Sequence, residues 1–367
     1  MADNNENKVL NVPHLRFPEF SGEWNKYTIN DLATVVGGGT PDTTVKSYWG
    51  GDIQWFTPSE IGKNKYVDFS KRTITRDGLD NSSAKLLPLH TILLSSRATV
   101  GECSIASNEC TTNQGFQSLI AKQCNIDFLY YLIQTKKKDL IRNACGSTFL
   151  EISANEIRKI KVAVPVQNEQ KQIAKLLSLI DERIATQNKI IEKLQSLIKG
   201  LAAQLTQSGT PNIRLCDCLE CHSSTLQENC VSVTGSYPVY GATGLIGYTN
   251  NYAYNGESIL IVKDGSGVGS LSYVNDHFSV IGTLNYLTAK ENYSILYLYY
   301  ALMAFNFTPY ITGMAIPHIY FKDYGKAKLF YPSIEKRIRI ASLLHNIEQK
   351  LVVEQNLVIS LSAQKSY

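Results

Sequence analysis

Apolar residues recur at alternating three- and four-residue steps along residues 168–205, and this spacing restricts the possible folds more than any other feature of the chain. A period near 3.5 residues is typical of helices that supercoil around each other, whereas an ordinary surface helix shows a wider stripe with a period of 3.6. The seam consists of Ile173, Leu177, Ile180, Ile184, Ile191, Leu194, Ile198, Leu201 and Leu205, interrupted by Gln187. The sequence therefore predicts a long helix that requires a partner helix.

The same pattern returns 167 residues further along the chain. The second seam consists of Ile340, Leu344, Ile347, Leu351, Glu354, Val358 and Leu361. Its polar member, Glu354, stands at the position of Gln187, and matches at the same offset continue upstream, as at Gly146 and Gly313. The chain is predicted to be a tandem duplication in which each unit is a globular part followed by a long helix.

The duplication also predicts how the two helices pair. Two equivalent units related by a pseudo-twofold axis must run their helices in opposite directions, so we expect an antiparallel coiled coil within the chain. The residues expected to pack across it are Leu177, Ile184, Ile191 and Ile198 against Leu344, Leu351 and Val358. Gln187 and Glu354 are expected to meet near the middle, where a hydrogen bond can fix the register at some cost in stability.

The repeat divides the chain into four segments. Residues 1–164 and 207–331 are predicted to be globular, and residues 165–206 and 332–367 to be helical. The first globular segment has candidate strands near Val35 and over residues 90–95 and 116–120, a strand between turns within 48–60, and a helix over 127–143. The prediction is an α+β fold with mixed β-sheet and helices in each globular segment. No counterpart of residues 48–60 follows in the second, so the two are expected to share a scaffold and differ in loops.

Composition excludes several classes of protein. The chain has 367 residues, 44% of them hydrophobic and 19% charged, which is ordinary for globular domains. Its polar start resembles no signal peptide and no apolar run approaches the roughly 18 residues of a membrane span, so we expect a cytoplasmic protein with no membrane partner. Residues 1–13 are predicted to be disordered, and the eight cysteines to be free thiols. The net charge of +4 is small for a protein that binds DNA unaided.

Several short sequence motifs, together with the duplicated layout, resemble the DNA specificity subunit of type I restriction-modification enzymes. They are Arg16-Phe17-Pro18-Glu19-Phe20, Gly38-Gly39-Thr40-Pro41, Tyr48-Trp49-Gly50-Gly51-Asp52-Ile53, and the stretch from Pro165 through Glu169-Gln170 and Ile173-Ala174 to the heptads. The resemblance covers nearly the whole chain. It implies two target-recognition domains held apart by an antiparallel helix pair, each reading one half of a split DNA site.

The resemblance also implies the partners. They are double-stranded DNA, two copies of an S-adenosylmethionine-dependent modification (methyltransferase) subunit, and restriction subunits that act as ATP-dependent translocases and endonucleases. S-adenosylmethionine, ATP and Mg are expected on those subunits, and no cofactor or catalytic residue is expected in this chain. A different interpretation of the same layout is a structural coiled-coil adaptor with two protein-binding lobes.

Reading of base edges requires side chains with paired donors and acceptors on loops or strands that reach the major groove. The candidates in the first half are Thr40, Thr57, Ser96, Arg97, Asn113 and Gln114, and those in the second half are Thr243, Lys263, Asp264, Asn285 and His318. Arginine suits guanine, and asparagine or glutamine suits adenine. Polar loop residues more often cap turns and face solvent, which is the alternative for each of them.

Other motifs point to structure more than to chemistry. The glycine-rich residues 265–269 lack the helix and the Lys-Ser/Thr pair of a phosphate loop. Cys216, Cys218 and Cys221, with His222 and Cys230 nearby, offer enough ligands for zinc, but a strand there would point the first two to opposite faces, so no metal site is expected. His90, Ser96 and Cys103 have no nucleophile elbow or orienting partner. Methyltransferase, Walker and nuclease motifs are not found.

Overall fold

The computed structural model describes residues 12–13, 15–146 and 150–365. Most of the segment predicted to be disordered lies outside the described residues. The chain forms two compact units, one made of residues up to Arg183 together with the end of the chain from Lys365, and the other of Ile184–Gln364. One boundary between these units falls inside the first long helix, after Arg183, and the other at the end of the second, before Lys365. The division into four segments stays a prediction.

The first unit is an α+β domain built on a five-stranded sheet. Its strands are β1 Asn25–Thr28, β2 Ala33–Gly37, β3 Trp49–Phe56, β4 Tyr66–Val67, β5 Arg72–Ile74, β6 Ile92–Leu94, β7 Cys103–Ala106, β8 Cys110–Thr112, β9 Gln117–Ala121 and β10 Lys161–Val164. Its helices are α1 Ile29–Leu32, α2 Arg76–Asp80, α3 Ile126–Thr135, α4 Lys137–Arg142 and α5 Ala154–Lys159, followed by the long helix α6 Gln167–Thr206. The sheets have the strand orders β2-β9-β6-β7-β4, β5-β3-β8 and β1-β10.

The second unit repeats this plan with a six-stranded sheet. Its strands are β11 Ile213–Arg214, β12 Leu219–Ser223, β13 Tyr237–Gly241, β14 Gly244–Thr249, β15 Tyr254–Val262, β16 Leu271–Val280, β17 Leu284–Ala289 and β18 Lys328–Leu329. Its helices are α7 Leu215–Cys218, α8 Ile295–Met303, α9 Phe321–Tyr324 and α10 Ile334–Lys365. The sheet order is β12-β17-β15-β16-β13-β14, with β11 paired to β18.

The shared scaffold is visible in the strand register. Ala33 pairs with Ala121 where β2 meets β9, and Leu219 pairs with Ala289 where β12 meets β17. The two units differ beside this scaffold, as expected. The first adds the three-stranded sheet around β3, and the second adds the β13–β14 hairpin. The prediction of one scaffold with different loops is confirmed.

The two long helices follow the predicted pattern of burial. Helix α6 has 40 residues and α10 has 32, and their seam residues are buried or half-buried while most residues between them are exposed. In the second unit, Gln187 Nε2 donates to the Glu354 carboxylate, and Lys336 Nζ donates to Ser208 Oγ at 3.2 Å. Because the residue just past the end of α6 meets an early residue of α10, while Gln187 and Glu354 meet further along, the helices run antiparallel, as predicted.

The ends of the seam do more than pair helices. Ile173 and Leu177 pack on the core of the first domain, and Ile198, Ile340 and Leu344 belong to the core of the second. Those cores include Phe128 and Leu129 of α3 in one case and the tyrosines of α8 in the other. A helix end that completes a domain core anchors that domain to the coiled coil. The heptad pattern alone did not predict this.

Two expectations about local structure were wrong. The helix predicted over residues 127–143 is two helices, since the chain turns at Lys136 with φ −92° and ψ 6°. Cys216 and Cys218 lie on the one-turn helix α7 and not on a strand. Its short apolar ends, Leu215 and Cys218, are buried, and this tertiary burial outweighs the weak local preference for a strand. No described helix is long and apolar enough to cross a membrane.

Candidate nucleic-acid interface

In the first domain, three of the candidate readout residues line one open cavity. Arg97, Asn113 and Gln114 surround a volume of about 210 Å³ together with Pro58, Ala98 and Gly115. Thr40 lies beside them, since its hydroxyl donates to Gln114 Oε1 at 2.5 Å. Thr57 precedes Pro58, and its hydroxyl donates to Glu60 Oε2 at 2.6 Å to cap a short turn. The fold therefore gathers residues from four separate loops.

Each of the two side-chain amides in this group already accepts one hydrogen bond through its oxygen. Asn113 Oδ1 accepts the backbone N–H of Gly115 at 2.9 Å, which forms a tight turn, and Gln114 Oε1 accepts from Thr40. Among the described residues, no hydrogen bond occupies Asn113 Nδ2 or Gln114 Nε2. Adenine is read by one donor and one acceptor of the same amide. Each amide therefore keeps its N–H donors and the second lone pair of its oxygen for a contact of this kind.

Ser96 supports the site without being accessible from it. It is 1% exposed, its backbone N–H donates to the Gly115 carbonyl at 2.8 Å, and its carbonyl accepts from Ile152 at 2.9 Å. Its hydroxyl has no partner among the described residues. Ser96 was expected to contact DNA, but burial excludes that in this structure. It instead holds the loop that carries Arg97.

Arg97 projects from this loop toward solvent. Its guanidinium lies 3.7 Å from the carboxylate of Glu151, and both side chains are about half exposed. An exposed pair at this distance contributes little stability, so breaking it to contact a guanine costs little. The loop itself is well defined, because the Ala98 N–H donates to the Leu150 carbonyl at 3.1 Å and Ala98 takes a positive φ of 63°. Arg97 is thus an exposed side chain on a loop that backbone hydrogen bonds hold in place.

The second domain repeats three backbone hydrogen bonds of this loop. The Lys263 N–H donates to the Thr283 carbonyl, the Lys263 carbonyl accepts from Ile319, and the Gly265 N–H donates to the Pro317 carbonyl. These are the bonds that Ser96 and Ala98 make with Gly115, Ile152 and Leu150 in the first domain. Isolated backbone bridges join Arg97 to Glu151 and Asp264 to His318, again at the same offset. Asp264 therefore stands where Arg97 does, and His318 where Glu151 does.

The remaining candidates in the second domain are not part of this group. Asn285 lies on β17, is 6% exposed, and its Oδ1 accepts from Ser223 Oγ at 3.1 Å. The register makes it the equivalent of Gln117, which pairs with Gly37 as Asn285 pairs with Ser223. In the repeat, Asn285 therefore corresponds to Gln117, which is close to Asn113 and Gln114 in sequence. Thr243 is exposed at the turn of the β13–β14 hairpin.

Glu151, Pro58 and Ala98 belong to the site and were not predicted. Glu151 had a usable signal, since the repeat offset maps it onto His318. Pro58 and Ala98 carry no readout chemistry of their own and line the cavity through the path of the backbone. Only the tertiary fold identifies such residues.

The glycine-rich residues 265–269 form a structural turn. The backbone N–H groups of Gly265, Val268 and Gly269 donate to carbonyls of Pro317, Gly265 and Val262, and strand β16 follows. A phosphate loop needs such groups free at a helix N-terminus. The turn therefore has no donors to offer a phosphate at these positions.

The residues considered for catalysis or metal binding do not come together. Cys103 is buried on β7, and burial raises its pKa to about 12, which keeps the thiol protonated at neutral pH. Ser96 is buried, and His90 is exposed with a φ of 64°. Cys218 is buried, and its thiol donates to the Leu215 carbonyl at 3.3 Å. Among the described residues, no group of three or more His, Cys, Asp or Glu side chains could hold a metal ion.

Comparison with known proteins gives one consistent result. A family model described as the type I restriction modification DNA specificity domain matches residues 21–196 and 213–361. The MjaIX type I specificity subunit of Methanocaldococcus jannaschii is 39% identical over 183 residues, which are 47% of this chain and 42% of that protein. The EcoprrI specificity subunit of Escherichia coli is 25% identical over 359 residues, which are 89% of this chain and 87% of that protein. The alignment with the archaeal relative thus spans less than half of its length.

Solved structures show the same fold. The S subunit of a type I restriction-modification system from M. genitalium matches with a TM-score of 0.63 at 18% identity, over 94% of each chain. A chain from a study of assembly and conformational transition of the type I R-M system matches with a TM-score of 0.58 at 13% identity, over 96% of this chain and 97% of that one. The expected fold class is confirmed: two tandem domains of mixed sheet and helix with two long helices.

Proposed function

Because the chain belongs to the type I restriction modification DNA specificity family, we propose that it is the subunit that selects the DNA sequence in a type I restriction-modification complex. In this role it recognises a bipartite DNA site, with one half read by each domain. It carries no catalytic residue, and the chemistry takes place on the subunits that it directs.

One observation supports this function above the others. The two domains hold equivalent loops with the same backbone hydrogen bonds, and they present Arg97 beside Glu151 in one case and Asp264 beside His318 in the other. Arginine matches the two acceptors of guanine, whereas aspartate accepts from the amino group of cytosine. A duplicated frame with different side chains is what the reading of two unlike half-sites requires. A protein-binding adaptor has no such requirement.

The partners follow from the same proposal. Two modification subunits that use S-adenosylmethionine bind this chain, and restriction subunits that use ATP and Mg join them. Helix α10 supports an interface of this kind, because its outward face carries exposed apolar side chains. They are Ile334, Ile338, Leu343, Val352, Val353 and Ile359. These partners also supply positive charge that a chain of net charge +4 lacks.

The test is to express the chain with its modification subunit and sequence the methylome of the host. The expected result is methylation at one motif made of two half-sites separated by unread base pairs. Arg97→Ala should relax recognition in one half-site and leave the other unchanged. If no motif is methylated and the complex shows no salt-dependent retention on DNA during gel filtration, the adaptor interpretation replaces this one.

A further inference from the structure

A short hairpin in the second domain carries an apolar tip. Thr312 and His318 close it, since the Thr312 N–H donates to the His318 carbonyl at 2.9 Å and the His318 N–H donates to the Thr312 carbonyl at 2.8 Å. At the tip Met314 is fully exposed, and Ile316 is 66% exposed. Isolated apolar residues are common on protein surfaces, so exposure alone assigns nothing. This tip differs from such residues by its position beside Asp264 and by the backbone hydrogen bonds that hold it.

The hairpin is held in one conformation. Gly313 has a φ of +88°, and a Cβ at this position would lie 2.3 Å from the Ile316 carbonyl oxygen. The Pro317 carbonyl accepts from the Gly265 N–H at 2.9 Å, which ties the tip to the loop that bears Asp264. A tip that is already ordered loses little conformational entropy when it binds. The apolar side chains are therefore presented beside a candidate readout residue.

The surroundings of the tip are polar and partly cationic. The ring of His318 meets Tyr320 edge-on at 5.0 Å, and Lys322 Nζ lies 5.0 Å from the centre of the Tyr320 ring. Lys263 is half-buried, with Nζ 3.5 Å from the Asp264 carboxylate. An apolar groove of a protein would match only Met314 and Ile316. The major groove of DNA matches the whole set, because phosphates flank base edges that carry both polar atoms and one apolar group.

That apolar group is the C5-methyl of thymine, which apolar side chains contact in the major groove. We propose that Met314 and Ile316 read thymine methyl groups in the half-site bound by the second domain. This inference rests on the proposed function and names thymine as a base that the second domain reads. In sequence, Ser147 and Phe149 stand at the equivalent positions of the first domain. A methyl contact through Met314 is thus specific to the second half-site.

The experiment uses the full chain in complex with its modification subunit and duplexes of the methylated motif. Each thymine is replaced in turn by uracil, which lacks only the methyl group, and the dissociation constant is measured. Loss of one buried methyl contact is expected to weaken binding about fourfold at one or two positions of the second half-site. Met314→Ala should bind thymine and uracil duplexes equally at its position, and Ile316→Ala should do so at its own.

Val233→Ala is the matched control, because Val233 is 91% exposed on another loop of the same domain. This variant should keep the full thymine-to-uracil difference. The proposal is overturned if no thymine of the second half-site is sensitive, if that half-site contains no thymine, or if Met314→Ala keeps the difference. Equal weakening on all duplexes would indicate a phosphate or partner-protein contact and would also overturn it. A wild-type complex without any sequence preference would instead refute the proposed function, and this inference with it.

Discussion

The side-chain amide of Gln187 donates a hydrogen bond to the carboxylate of Glu354, and these two residues occupy the same position in the two copies of the repeat. Gln187 is 1% exposed, and its Oε1 has no partner among the described residues. A buried amide with an unused acceptor lowers stability, while one specific bond between two helices favours a single register. The pair therefore lowers the stability of the folded chain and favours one register of the two helices.

Replacement of both residues by leucine should raise the melting temperature, because two apolar side chains fill the seam and no polar group stays buried. Replacement of Glu354 alone should lower it, since Gln187 then loses its acceptor at a cost of about 1–3 kcal/mol. Thermal unfolding followed by circular dichroism measures both changes. A double variant no more stable than the wild type would contradict this account.

Substitutions in the two loops should act on separate half-sites. Arg97→Ala should weaken discrimination in the half-site of the first domain by about 1–3 kcal/mol, and Asp264→Ala should do so in the other. The measurement is a methylome, or a binding assay on duplexes altered in one half-site. Equal weakening on both halves would indicate a general phosphate contact for these residues.

Asn285→Ala tests whether burial keeps this candidate residue from reading DNA. Asn285 is buried on β17 and bonded to Ser223, so its loss should lower the melting temperature and leave the recognised bases unchanged. Gln117→Ala, at the equivalent position of the first domain, is the matched comparison. A changed base preference with Asn285→Ala would restore the sequence-based hypothesis that it reads DNA.

Stability should fall in alkaline solution. Burial raises the pKa of Cys103, Cys110, Cys124 and Cys218 to about 12, against 9.0 for an ordinary thiol. The protonated form is favoured by folding, so this contribution is complete below pH 9 and is lost as the pH rises from about 9 towards 12. Urea unfolding between pH 7 and 10.5 should show the decline, and Cys103→Ala should reduce its slope. A flat profile above pH 9 would contradict it.

The helix pair is expected to set the spacing between half-sites. Helix α6 is about 60 Å long at 1.5 Å per residue, which exceeds one DNA turn of about 34 Å. A four-residue insertion near Leu201 would break the heptad pattern and would fall where α6 packs on the second core with Ile198 and Ala202. Seven residues added to both helices, beside Gln187 and Glu354, preserve the heptad instead.

This pair of insertions should lengthen the helices by about 10 Å, comparable to three base pairs at 3.4 Å each. The expected methylome shows unchanged half-sites with a spacer about three base pairs longer. A scrambled heptad of the same length in both helices is the control, and it should lower stability. Changed bases within either half-site, or methylation only at the original spacing, would refute the hypothesis that the helix pair sets the spacing between half-sites.

The sequence by itself determined the repeat, the two long helices and their antiparallel pairing, because apolar periodicity and a fixed repeat offset can be read directly from the order of the residues. It also offered Arg97, Asn113, Gln114, Asp264 and His318 as candidates for contact with DNA. Such residues stand out by chemical type in polar loops, and Arg97 and Asp264 stand at equivalent positions of the repeat.

Only the tertiary structure decided which candidates share a surface. Ser96 and Asn285 have suitable chemistry, but strand pairing buries them, and pairing partners far apart in sequence are not encoded in local composition. The break of the helix at Lys136 and the place of Ile173 and Leu344 in domain cores depend on the same long-range contacts. Local conformational preferences contribute fractions of a kcal/mol per residue to folding, whereas burial of a large apolar side chain contributes about 1.5–3 kcal/mol. Packing therefore decides the structure where the two disagree.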